Sequence, residues 1–204
     1  MKQNEQTAFE KSAGRLDVFF NVMEKLALVL CIVFFVAAGV FLFKGSVTDG
    51  DAGPNAVDLG WVKLSLDPTF AAGKLTVDRM LALSCPVLLI VTITFYAGFR
   101  LIRGILKPMK QGRPFEKEVS VNLKRLGILV LTGGVLLNAA GFIVMATIFR
   151  EFEIGKLFDA QAVSGYTIEY IVRPDFIVFA LLLFLLSYVF RYGEKLQTES
   201  DETL

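Results

Sequence analysis

The sequence predicts an α-helical integral membrane protein, a bundle of four transmembrane helices. Three observations predict it. The 204-residue chain is 54% hydrophobic, with a mean hydropathy of +0.59, where an ordinary soluble domain is roughly 45–50% apolar. The excess is gathered into four blocks, each close to the ~20 residues that carry a helix across hydrocarbon. Lys and Arg gather in only one of the three connections between the blocks.

Taken in order, residues 26–43 form an unbroken apolar run that reaches back through Val18, Phe19 and Phe20. The run is too long for a signal-peptide core. Phe41, Leu42 and Phe43 offer no small-residue cleavage site, so a retained helix is expected. The other runs cover 80–99, 126–149 and 176–190, the last extended by snorkelling of Arg191 and Tyr192. The predicted spans are about 18–43, 79–103, 122–149 and 175–192 of one domain, with connections 44–78, 104–121 and 150–174 and a tail 193–204.

Charge orients them. The second connection and its flanks hold Arg100, Arg103, Lys107, Lys110, Arg113, Lys117, Lys124 and Arg125 against only Glu116 and Glu118. The first holds Lys44, Lys63 and Lys74 against Asp49, Asp51, Asp58, Asp67 and Asp78. The positive-inside rule then places the second connection and both termini in the cytosol.

The outward connections carry strand formers. Residues 57–66 are expected to form a strand ended by Asp67-Pro68, with 73–77 as a short second one and 166–172 as a third. A lone two-stranded ribbon is marginal in water, so one small sheet shared by both outer loops is expected. This plan is similar to that of the claudins in architecture only. The chain lacks their paired loop cysteines, and the analogy carries no function.

Polar residues within the spans are few. Glu24 and Lys25 lie near the inner end of the first, where pairing or snorkelling is cheap. Gly133, Gly134, Asn138 and Gly141 read as helix-packing residues in the third, because small residues let backbones approach and Asn bonds across the contact. Pro86 predicts a kink in the second. The composition argues against most chemistry. With no His, the usual zinc, haem and acid–base roles lose their main residue. Cys31 and Cys85 sit at mismatched depths in apolar runs and do not suggest a redox pair. No catalytic, metal or cofactor residues are expected.

The inner connection is the richest segment. Pro108 is expected to end the second helix, and Gly112 and Pro114 to turn the chain. Phe115, Val119, Leu123 and Leu126 share a helical stripe, an amphipathic lead-in to the third span. The tail from Gly193 is acidic and reads as a solvated end, able to pair with the basic connection or to meet a partner.

Two motifs carry a resemblance. One is Gly112-Arg113-Pro114-Phe115 followed by Asn122, Leu123, Arg125, Leu126 and Gly127. The other is Gly193, Leu196-Gln197, Glu199 and the terminal Asp201-Glu202-Thr203-Leu204. With four spans, the chain resembles a bacterial family of four-helix membrane proteins catalogued as a domain of unknown function. Genes of that family often neighbour a small helix-turn-helix regulator of the Cro/C1 type. The resemblance implies a bacterial inner membrane and no enzyme activity.

The expected function is therefore non-enzymatic regulation or sensing. Arg113, Pro114, Phe115, Lys117, Lys124 and Arg125, with Glu199, Asp201 and Glu202, are the candidate contacts for a cytosolic regulator. Besides the lipid bilayer, a second protomer is a possible partner, and no direct nucleic-acid binding is expected. The alternative is a small transporter or channel, or an accessory subunit of one, with a path near Pro86, Thr92, Thr94 and Asn138.

Overall fold

The computed structural model describes residues 2–44, 56–58, 63–65, 77–151 and 172–202. In chain order its elements are α1 (Lys2–Lys44), β1 (Ala56–Asp58), β2 (Lys63–Ser65), α2 (Val77–Lys110), α3 (Lys117–Glu151) and α4 (Asp175–Glu202). The structure is nearly all helical, and each of the four helices is long and apolar enough to cross a membrane. Each helix also runs past its apolar block, because charged residues with good helix propensity flank the blocks.

The chain divides into two compact units. One holds Met1–Cys31, Ile90–Leu136 and Arg173–Leu204; the other holds Ile32–Leu89 and Leu137–Val172. In the first unit the helices pack in sequence. Phe20 of α1 lies 5.9 Å from the ring of Phe99 on α2. Gly98 of α2 faces Leu126 and Leu129 of α3, and Gly104 faces Asn122. Gly127 of α3 faces Phe184 and the Ala180 carbonyl of α4, and Gly134 faces Phe176.

Ser120, Gly127 and Gly134 recur every seven residues along α3, a period that keeps one seam turned toward a neighbouring helix. A side chain at Gly127 would meet Phe184 within 2.7 Å, so only glycine allows this approach. Gly133, one residue from Gly134, packs instead on Thr94 of α2. The adjacent glycines thus serve two different helices. Asn138 and Gly141 belong to the second unit, where both are half-buried.

Little of the apolar content is inside. Among the described residues of the first unit, the buried hydrophobic ones are Ala13, Ala27, Leu106, Val119, Leu123 and Ala180. Large apolar side chains cover the outside of α4, with Phe179 61% and Tyr188 70% exposed. Soluble monomers rarely expose apolar patches beyond a few hundred Å², whereas lipid solvates such a surface. The hydroxyls follow the same rule: Thr132 Oγ1 donates to the Ile128 carbonyl at 2.9 Å, and Thr94 Oγ1 to that of Ile90 at 2.8 Å. Each returns its donor to its own helix, as apolar surroundings require.

Two local readings need correction. Pro108 does not end α2, which runs on to Lys110. Proline loses one backbone hydrogen bond inside a helix. Here the Pro108 carbonyl accepts from Gln111 N at 2.9 Å and Arg113 N at 3.1 Å, while Gly112 N donates to the Met109 carbonyl at 3.2 Å. Gly112 takes φ 71°. This is the Schellman pattern, with glycine in the left-handed position and proline just beyond.

The second correction concerns the first loop. Segment 57–66 is not one strand: β1 and β2 pair antiparallel, with Val57 opposite Leu64. Val77, expected to end a strand, is the first residue of α2, and Val172 lies outside any strand. Residues 73–76 and 166–171 lie outside the described residues. The tail, expected to be a solvated end, is exposed from Lys195 to Ser200 and stays helical through Glu202.

Candidate functional site

Polar and charged side chains concentrate at the end of the first unit that carries the α2–α3 connection, in two places of different character. The first lies between α1 and α2. Asp17 and Glu24 are seven residues apart on α1, and so are Arg103 and Lys110 on α2. Arg103 Nε donates to Asp17 Oδ1 at 3.2 Å, and its Nη1 donates to Glu24 Oε2. Lys110 Nζ donates to Asp17 Oδ2 at 2.7 Å.

The carboxylates are mostly buried, at 18% and 16% side-chain exposure, while Arg103 is 34% exposed. Two of the basic residues that define the charge asymmetry are thus already satisfied within the protein. The planar guanidinium suits this bridging, since its fork serves two acceptors at once. The sequence reading treated Arg103 and Lys110 only as part of a basic loop and missed Asp17. The matching seven-residue intervals were the available signal.

The second place lies between α3 and α4, beside the turn. Phe115 is 41% exposed, yet its ring sits 5.7 Å from that of Phe190 and directly over Gly193, where a side chain would collide with it. Val119 and Leu123, on the same stripe, are buried. Ser187 Oγ of α4 donates to the Ser120 carbonyl at 2.8 Å, and Ser120 Oγ donates to the Lys117 carbonyl at 3.0 Å. These bonds tie the first turn of α3 to α4.

Two clefts open on this contact. One, of about 350 Å³, is lined by Arg113, Phe115 and Lys117 from the turn side and by Glu194, Gln197 and Thr198 from α4. Its neighbour, about 440 Å³, lies among Lys117, Lys124 and Arg191. A third cleft of about 580 Å³ lies between α2 and α3, where Arg100 and Arg125 stand with Tyr96 and Asn122.

The expected contact residues therefore divide. Arg113, Phe115 and Lys117 come together with α4, and Pro114 lies in the turn between the first two. Arg113, well exposed, reaches the partly exposed Glu116 at 3.8 Å, a pair of little energetic weight. Lys124 joins Lys117 on the second cleft, while Arg125 points to the α2–α3 cleft. The α4 carboxylate that lines both clefts beside the turn is Glu194. Glu199 lies 3.6 Å from Lys195 of its own helix, Asp201 is within α4, and Glu202 ends it, exposed.

Several of the residues that carry the family resemblance serve packing or the turn. Gly112 shapes the turn, Phe115 and Gly193 meet, Asn122 fits against Gly104, Leu123 is buried, and Gly127 admits Phe184. Among the described residues no group of His, Cys, Asp and Glu is placed to hold a metal ion. Cys31 and Cys85 are free thiols.

Four apolar helices with lipid-type surfaces and a polar end define a helical membrane protein as the class. Comparison with protein-family models, with curated proteins and with solved structures finds no match.

Proposed function

We propose that this chain is a non-enzymatic protein of a bacterial inner membrane that acts in regulation or sensing. Its termini and the α2–α3 turn face the cytosol. The observation that carries the reading is the joint surface of the turn and the end of α4. Because α4 continues as a helix past its apolar block, and Phe115 seats on Gly193, turn and tail present one shaped face instead of two loose segments. That face combines Arg113 and Lys117 with Glu194, Gln197 and Thr198 around an open cleft. A mixed-charge, partly apolar cleft suits a protein partner, and a small helix-turn-helix regulator held at the membrane is the partner class we favour.

In the same reading the first loop faces outward, and its β1–β2 ribbon is too small to stand alone. In this reading it is completed by residues of the second outer loop into one sheet, which receives an envelope signal or meets another protomer.

The test places a photo-crosslinking residue at Gln197 in the full-length protein in bacterial membranes. A cytosolic regulator captured by the parent chain, and lost in Phe115→Ser or Arg113→Glu, supports the reading. Capture that is indifferent to both variants, or no captured cytosolic protein, sinks it. Reporter fusions to both termini test the orientation separately.

A further inference from the structure

The cleft between α3 and α4 has an arrangement that docking of a regulator does not require. Lys117 and Lys124 stand seven residues apart on one face of α3, and Arg191 comes from α4. All three side chains are exposed, and none makes an ion pair among the described residues. Arg103 and Lys110, by contrast, are consumed by acids of α1. Within the lining, three cations face one carboxylate, Glu194. Unpaired cations converging on a cavity of about 440 Å³ present an anion site, and tetrahedral phosphate oxygens match several separate N–H donors.

The level of the cleft decides the source of the anion. The apolar run of α3 begins at Leu126, just after Lys124, and that of α4 ends at Phe190, just before Arg191. Lys117 and Lys124 are therefore about 10 Å apart along the helix axis. A headgroup layer is roughly 5–8 Å deep on each side of the hydrocarbon. Exposed Val121 lines the cleft, and exposed Tyr188 and Tyr192 flank Arg191 on α4. Tyrosines at this depth mark the interface where headgroups lie. Below them, exposed Leu185, Leu186 and Val189 offer apolar surface to acyl chains.

We propose that the α3–α4 cleft holds the phosphate headgroup of an anionic phospholipid, gripped by Lys117, Lys124 and Arg191. The proposal rests on the helices lying in a bilayer. It is independent of which partner docks and of which side faces the cytosol.

The test uses the full-length protein in detergent and native mass spectrometry, with phosphatidylglycerol, phosphatidylcholine and inorganic phosphate as probes. Phosphatidylglycerol is expected to be retained over phosphatidylcholine. Each of K117Q, K124Q and R191Q is expected to weaken retention about fivefold, and the triple variant about a hundredfold, as roughly one basic-residue increment each implies. The pair R100Q and R125Q, on the α2–α3 cleft, is expected to leave retention within about twofold of the parent, since that loss lies outside the proposed contacts. Lys124→Arg keeps the charge and restores binding, which separates the site from a folding defect.

Retention that survives the triple variant overturns the proposal, as does a loss that follows R100Q and R125Q instead. Equal retention of phosphatidylcholine overturns it as well. Displacement of the lipid by inorganic phosphate at comparable concentration would make this a soluble-anion site and also overturn it. The crosslinking experiment uses none of these three variants, so either idea can fail alone.

Discussion

The α1–α2 seam and the α3–α4 cleft draw on the same kind of residue, basic side chains near the α2–α3 connection, and use it in opposite ways. In the seam, Arg103 and Lys110 are matched to Asp17 and Glu24, and the charge becomes internal structure. In the cleft, Lys117, Lys124 and Arg191 form no ion pair among the described residues and outnumber the one carboxylate, Glu194, so the charge stays available. A run of positive residues is thus not one surface. What each cation does is set by whether a carboxylate lies one helix away at the same seven-residue interval.

Substitutions break or sharpen this contrast. Arg103→Met is expected to have the largest effect, about 2 kcal/mol of lost stability, because it strips hydrogen bonds from two mostly buried carboxylates. The cost stays below that of a fully buried pair because Arg103 is a third exposed. Unfolding in mixed micelles followed by circular dichroism measures it. A loss under about 0.5 kcal/mol, the range of an ordinary surface substitution, would make the seam ornamental.

Gly127→Val is expected to cost somewhat less, about 1–2 kcal/mol, because Phe184 must yield while the Ala180 carbonyl cannot. The same melts report it, and near-ultraviolet dichroism should register the displaced ring. Ser187→Ala removes one bond to the Ser120 carbonyl and is expected to cost about 1 kcal/mol. An unchanged midpoint would show that the floor of the cleft is held by packing alone. Lys117→Gln combined with Lys124→Gln is expected to stay within about 0.5 kcal/mol of the parent, as exposed unpaired residues do. A marked destabilisation there would mean that these cations are structural after all, and the contrast would collapse.

The same contrast explains what the sequence could disclose. The four helices were legible because hydropathy acts over whole segments. The glycine turn was legible because Gly112 and Pro114 fit one backbone geometry. The end of α2 was misread because Pro108 looks like a terminator. In the last turn it loses one bond while its own carbonyl gains two. Segment 57–66 reads as one strand by composition, and its fold-back depends on which residues pair, information that composition lacks.

Asp17 escaped notice because an acid before an apolar run looks solvated until α2 is laid beside it. Gly127 and Gly193 were visible in the motifs but not as contacts, since glycine gives no sign of which aromatic ring it admits. That α4 continues through the tail as one helix was not legible while its acids were read singly.

The Schellman turn at Gly112 also bears on how the protein enters a membrane. Residues 111–116 are all that separates α2 from α3, a connection in the range that joins antiparallel neighbours. With Gly98 and Gly104 already shaped to receive Leu126, Leu129 and Asn122, the pair forms a natural insertion unit. A newly made chain can lay down this hairpin first and then recruit α1 through its acids and α4 through its aromatic rings. The order of assembly would then be written in the turn, with the two outer helices docking by different forces onto a shared scaffold.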